Sequence, residues 1–502
     1  MKTKLAYLLA LICTTLLFAR FDTYPKNHAV DIQHYSFAIT LSDQTDMIIV
    51  DELITVLIKS NVKQIRLDLI NQSKNHDNKG MTVKAVSLNG KTLNYTHRDD
   101  VLLIDLPVVK VGEQITIAIS YSGIPADALK IAPNKYGDRC FFSDNWPNKA
   151  RHWLATVDHP YDKATSEMII TAPNHYQVVS NGLLIEETNL DKATKRTHWK
   201  QSVPIATWLY DLGVAEFAVQ YVDQFEGKSI QTWVYKQDRD KGFYDFAVPS
   251  KHVLEFYSDY VGPYAYEKLA NIQSNSVGGG MEAASAIFYG DNSVTGERSV
   301  RWRNVIIHEI AHQWFGNAVT EADWDDVWLS EGITTFFTLL FREHAYGYDD
   351  YVAGLEDAKK RVFEFDAKNP DYRIVHDNLA DMSKVTTGQT YQKGAWVMHM
   401  LRSQIGNEAF QKGIRSYYSK YFNGNATTAL LISEMEATSG QELEWFFKQW
   451  LHRGGHPKIS GKVTISGKLM TIDHSQVQDG EAFVLPLEFA LKIKDKTDIE
   501  YH

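Results

Sequence analysis

The chain has 502 residues, 44% hydrophobic and 23% charged, with a formal net charge of -10, a globular composition long enough for two to four domains with cores of their own. A negative balance spread along the whole sequence excludes a partner dominated by phosphate, so nucleic acid is not expected as a substrate. With only two cysteines, Cys13 and Cys140, a disulfide scaffold is excluded as well.

Residues 1–19 begin with Lys2 and Lys4 and continue as the uncharged run Leu5 to Ala19, the layout of a signal peptide. That run of 15 residues is short of the roughly 20 that a helix needs to cross a bilayer. Export to a periplasmic or extracellular space is therefore expected, with membrane association only where the segment is retained. Cys13 follows Ile12 rather than a small residue and does not read as a lipidation site. Cys140 is then left without an intramolecular partner and reads as a packed thiol.

Residues 20–216 are predicted to form a β-sheet domain. Tyr35, Phe37, Ile39 and Leu41 alternate with other residues, and short runs of the same kind recur at Ile65 to Leu69, Met81 to Leu88, Val101 to Leu106 and Gln114 to Tyr121. Asn89-Gly90 between two of these runs signals a hairpin, because both central turn residues need positive φ. The sheets are therefore expected to be antiparallel.

After about Gln220 the period changes. Val300 to Gly316, Trp328 to Tyr346, Asp350 to Phe365, Gly394 to Ile405 and Ser433 to Arg453 place apolar residues at three and four spacing, which predicts a mostly helical domain over 217–454. Gly454, Gly455 and Pro457 close its last helix. Alternation returns from Ile459 to Lys494, so 455–502 is predicted as a small β region of about four strands, few for an independent domain. It either packs on a neighbour or is incomplete. The predicted class is a multidomain α+β protein.

The helical half contains His308-Glu309-Ile310-Ala311-His312. A spacing of four puts both imidazoles on one helix face about a turn apart, where two nitrogens reach one ion. Zinc prefers four nitrogen, sulfur or carboxylate ligands, with one position left to water in a catalytic site. Glu331, 19 positions after His312, opens the next helical segment and supplies the third protein ligand if the two helices run antiparallel. Glu309, next to a ligand but off the shared face, is placed to take a proton from water and return it to a leaving group. The bland alternative is two helix-face histidines four apart by chance. With 18 histidines, chance produces this motif in on the order of a few per cent of such chains, and the downstream glutamate makes it rarer still. Ala318 stands where a third-histidine pattern would need its ligand.

His308 to Asn317, followed by Trp328-Leu329-Ser330-Glu331-Gly332, resembles the metal signature of the aminopeptidase N family of zinc metallopeptidases (gluzincins), which also includes leukotriene hydrolase. A second family motif is approached by Gly279-Gly280-Met281-Glu282-Ala283, and a third, Tyr-x-Lys-Gly, by Tyr391-Gln392-Lys393-Gly394. The resemblance implies a β domain, a thermolysin-like catalytic domain and a small β domain, with one zinc ion and peptides carrying a free amino terminus as substrates. It implies substrate binding by Gly279, Gly280, Met281 and Glu282, with Glu282 on the substrate's α-amine, and oxyanion stabilisation by Tyr391. Ala283 departs from the family's asparagine. Trp146 falls where the family places a second amine-binding Gln or Glu, and Asn145 or Asp144 is then expected to substitute.

The implied activity is removal of the amino-terminal residue from peptides. A thermolysin-like endopeptidase and a catalytically silent peptide-binding relative are the alternatives. Lipid-epoxide hydrolysis is also known in the family, and nothing in these residues points to it.

Overall fold

The computed structural model describes residues 22–376, 379, 381–487, 490–492 and 499–501; the predicted signal segment lies outside them. The first region is built on an eight-stranded sheet, in the order 183–189, 194–205, 164–173, 30–40, 48–58, 114–124, 80–88, 91–92. Strand Ile48–Ile58 shows why it forms, since every second residue from Ile48 to Ile58 is buried and those between face outward. Asn89 and Gly90 take φ of 51° and 74° and turn the chain between the last two strands. Pairing is antiparallel except between Val30–Thr40 and Ala164–Pro173, which run parallel. A four-stranded sheet (177–180, 212–215, 139–143, 129–133) lies against it, with Trp199 of the large sheet donating to Val178 O at 3.0 Å.

The helical half opens with a five-stranded mixed sheet, in the order 217–225, 228–235, 268–274, 286–290, 280–281. The sequence reading placed no sheet here. Lys268–Ser274 and Ala286–Gly290 are buried at every position, so neither has the alternation that marks a half-exposed strand. Helices α1 (Arg239–Phe246) and α2 (Ser250–Tyr260) make the crossover between parallel strands 228–235 and 268–274.

Among the described residues seven α-helices follow: α3 (Val300–His312), α4 (Trp328–Tyr346), α5 (Tyr348–Asp366), α6 (Gly394–Ile405), α7 (Asn407–Tyr421), α8 (Thr428–Ser439) and α9 (Glu444–Leu451). The segment Ser433 to Arg453, read as one periodic run, is broken in two. Gly440 caps α8 at φ 68°, and Leu443 N donates to Glu436 Oε1 at 2.7 Å to start α9. Beyond it, Ile459–Ser466 and Leu469–Gln476 form an exposed hairpin. The region is attached through Phe483, which stacks on Trp450 with centroids 5.0 Å apart and lies 3.9 Å under the Arg453 guanidinium.

Polar side chains stitch the β region to the helical half. Lys163, half-buried, donates to the carbonyls of Asn317, Ala318 and Gly424 at 2.9, 3.1 and 3.2 Å. Asn181 donates to Leu209 O at 2.9 Å and Ala284 O at 2.8 Å. Gly182 N donates to Ser285 Oγ at 2.9 Å, and Lys268 Nζ returns to Ser180 O at 2.7 Å.

Candidate active site

Helices α3 and α4 pack together and bring His308, His312 and Glu331 to one point. The two Nε2 atoms are 3.1 Å apart, and Glu331 Oε2 lies 3.5 Å from His308 Nε2 and 3.2 Å from His312 Nε2. The far nitrogens set the tautomers. His312 Nδ1–H donates to Phe315 O at 3.1 Å. The hydroxyl of Thr338 donates to Thr334 O at 2.9 Å, so it accepts from His308 Nδ1, 3.3 Å away. Both Nε2 lone pairs therefore face Glu331, as outer-shell partners of metal-bound histidines arrange.

Glu331 Oε2 is buried with no hydrogen-bond partner, while Oε1 accepts from Tyr391 Oη at 2.6 Å. Ligand atoms of Glu282, Glu309 and His312 also lie within 4.8 Å of one another. Three buried carboxylates thus surround two imidazoles. Burial raises the Glu282 carboxyl to about 7; burial first, then the charge of Glu282, holds Glu309 well above the usual range. Burial lowers the affinity of His312 for a proton, but Glu282 and Glu331 overcome it and raise its pKa to about 10. Glu331, pushed up by burial, is brought down to about 2 by His312. A cluster this rich in negative charge calls for a cation, and two neutral imidazoles with one carboxylate are a zinc donor set.

The motif residues reach this point by close backbone approaches. Gly280 lies on the short edge strand Gly280–Met281, and a Cβ there would stand 2.2 Å from Glu309 Oε1 and 2.3 Å from its Cδ. Gly332 follows Glu331 in α4 and meets Gly394, the first residue of α6; a Cβ on either would lie 2.9 Å or less from the other's Cα. That contact is what lets Tyr391, in the wide turn Gln389–Lys393 before α6, reach Glu331. Gly279 O accepts from Gly290 N at 2.9 Å, and Met281 is buried in the core.

Gln313 and Asn317 carry a task that sequence reasoning did not assign. Gln313 Nε2 and Asn317 Nδ2 donate to Glu282 O at 3.1 and 2.7 Å, and Gln313 Oε1 accepts from Ser285 N at 2.9 Å. The metal helix thereby fixes the loop that carries Glu282. Gln313 sits four residues after Glu309, on the same helix face, a spacing that could have flagged it.

Of the two residues expected to replace the missing amine-binding Gln or Glu, Asn145 is consumed by the fold. Its Nδ2 donates to Tyr210 O and its Oδ1 accepts from Trp153 Nε1, both at 2.8 Å. Asp144 retains a carboxylate whose charge acts on Glu282, and it accepts from Trp146 N at 3.3 Å. The Trp146 ring packs edge-on to Trp208 and Trp324, 4.8 and 5.3 Å between centroids. Ala283, where the family has asparagine, is buried.

Two family models match the chain: the peptidase M1 N-terminal domain over residues 31–209 and the peptidase family M1 domain over 246–450. The chain belongs to peptidase family M1. Among curated M1 relatives, a glutamyl aminopeptidase of Rattus norvegicus is 30% identical over 347 residues, 66% of this chain and 36% of its own length. A probable aminopeptidase 1 of Saccharolobus solfataricus is 25% identical over 463 residues, 87% of this chain and 56% of its own length. The chain thus spans about a third to a half of the length of these curated relatives. In fold it resembles an M1 zinc metallopeptidase of Deinococcus radiodurans, with TM-score 0.71, 22% identity, and coverage of 86% of this chain and 95% of that one. Yeast LTA4 hydrolase gives TM-score 0.75 at 18% identity, covering 86% of this chain and 69% of that one.

Proposed function

We propose that the protein is a zinc aminopeptidase releasing the amino-terminal residue of peptides. The observation that carries this reading is Glu282: a buried carboxylate beside the triad, with Oε1 lacking a hydrogen-bond partner among the described residues, in a position where a substrate ammonium would complete it. His308, His312 and Glu331 would hold the zinc, which would supply Lewis acidity toward a peptide carbonyl and lower the pKa of water. Glu309 takes the proton of the attacking water and gives it to the departing amine. Tyr391, now donating to Glu331, donates to the oxyanion as it develops. Asp144 adds negative charge behind the ammonium. Gly279, Gly280 and Met281 offer an edge strand to the substrate backbone. Support comes from a mutant of the Deinococcus radiodurans M1 enzyme, solved bound to Tyr-Ser-Ala as substrate.

Peptides with a free amino terminus should be cleaved and their acetylated forms left intact. Glu282→Gln should lower kcat/KM for aminoacyl amides on the order of a hundredfold, the loss of a charge-assisted pairing of about 2–3 kcal/mol. Undiminished cleavage of acetylated peptides would instead favour the endopeptidase. We also propose that residues 1–19 direct export, on the strength of the Lys2, Lys4 and Leu5 to Ala19 pattern, and that 20–216, 217–454 and 455–502 are its domains. No helix among the described residues is long and apolar enough to cross a membrane.

A further inference from the structure

Tyr391 sits in a turn held only in part by its own bonds, from Tyr391 N to Thr387 O at 3.3 Å and from Thr387 N to Thr390 Oγ1 at 3.1 Å. Gln389–Lys393 winds more widely than an α-helix, a geometry associated with functional positions, and its buried side chains are anchored from outside. Gln389 Nε2 donates to Asp366 Oδ1 at 2.6 Å and to Val362 O at 3.3 Å, both near the end of α5. The other oxygen of Asp366, Oδ2, accepts from His456 Nδ1 at 2.6 Å. The His456 ring stacks on Phe363, one helical turn back, with centroids 4.3 Å apart. Lys393, at the far end of the turn, donates to Gly455 O at 2.9 Å.

The chain after α9 therefore grips the turn at both ends, through Gly455 to Lys393 and through His456 to Asp366 and Gln389. That segment is seated as tightly from its other side. Ile374 and Val375 N both donate to Leu451 O at 3.1 Å, and a Cβ on Gly454 would stand 2.4 Å from Pro370 O. Asp366, 4% exposed, has each oxygen committed to one jaw. Buried carboxylates are costly unless fully paired, and here the pairing joins three separate segments.

We propose that Asp366 is a positioning residue for Tyr391, and that the segment Arg453–His456 is the second half of the same clamp. The proposal rests on the role given to Tyr391 above. It assigns a task to the start of the small carboxy-terminal region, which holds the phenol against Glu331 without touching the substrate. Asp366→Asn turns one acceptor oxygen into a donor: facing the Gln389 amide it loses that bond, and facing His456 it keeps one only to the Nε2–H tautomer, so either way one jaw loses its bond to a carboxylate.

The test combines kinetics with a readout independent of turnover. Asp366→Asn in the zinc-loaded full chain should lower kcat for an aminoacyl amide on the order of tenfold to a hundredfold, as misplacement of a contributing group does, with KM and zinc content unchanged. In a Tyr391→Phe background the same substitution should cost nothing further, because both act through one phenol. Amide hydrogen exchange over residues 389–393 should accelerate in Asp366→Asn and in His456→Ala, and return toward wild type in His456→Gln, which keeps a donor for Asp366. Equal kcat losses in both backgrounds, or unchanged exchange over the turn, would overturn the clamp. A wild-type protein that turns over no aminoacyl amide refutes the functional reading instead, and the exchange experiment then judges the clamp by itself.

Discussion

Replacing Glu309 by Gln is expected to lower kcat by two to four orders of magnitude, the range of roughly 10²–10⁴ attributed to a positioned general base, while zinc stays bound. Glutamine keeps the volume of the side chain, so the packing against Gly280 survives, and the three proposed ligands His308, His312 and Glu331 are untouched. The amide cannot accept the water's proton. The substitution also removes one of three crowded carboxylates, so thermal stability of the metal-free protein should hold or rise, since burial and Glu282 both disfavour the Glu309 charge. Turnover of aminoacyl amides and zinc content by mass spectrometry are the two measurements. Wild-type turnover in Glu309→Gln with zinc retained would assign proton transfer to another group.

Gly280→Ala is expected to cost on the order of a hundredfold in kcat and about 1–3 kcal/mol of stability, a single methyl doing nearly what loss of the base does. The added Cβ would overlap the Glu309 carboxyl at 2.2 Å, and Glu309, only 6% exposed, has no open solvent to move into. Displacing a reacting group by about an ångström can cost two orders of magnitude, whereas crowding one buried side chain costs about 1–3 kcal/mol. Gly278 has nothing within 4 Å of its Cβ position, so Gly278→Ala is the matched control. Comparable kcat values for the two variants, with melting temperatures unchanged, would show that Glu309 tolerates displacement and is not the base.

The metal centre was legible because its chemistry is local. His308 and His312 share a helix face by spacing alone, and Glu331 opens the next helix, whose packing on the first brings the three candidate ligand atoms together. Strands 30–40, 80–88 and 114–124 of the eight-stranded sheet were legible for a similar reason, since buried and outward-facing residues largely alternate along them. What spacing did not reveal depends on distant contacts. Fully buried Lys268–Ser274 and Ala286–Gly290 carry no period of two and were read as part of a helical region. Gly332 and Gly394 are 62 positions apart in sequence, and nothing in either neighbourhood announces that their backbones touch. Asn145 offered a polar side chain in the right stretch, yet Tyr210 and Trp153 claim both ends of its amide. Resemblance carried the assignments of Glu282 and Tyr391 in the sequence reading, and the backbone contacts at Gly280 and Gly394 supply the physical reason for the glycines beside them.

The bonds from Lys163, Asn181 and Gly182 set a limit on how this architecture can be inherited. A shuffling event that copied the helical half alone would carry His308, His312 and Glu331 but leave the carbonyls of Ala318 and Ala284 without their side-chain donors and that of Asn317 with Thr320 Oγ1 alone. Those groups belong to the loop after α3 and to the segment behind Glu282, so the severed half would keep its metal ligands and lose the frame around its substrate. Selection for the proposed peptide trimming would therefore hold both halves on one reading frame, while the exposed hairpin beyond residue 458, which meets none of these groups, is free to diverge.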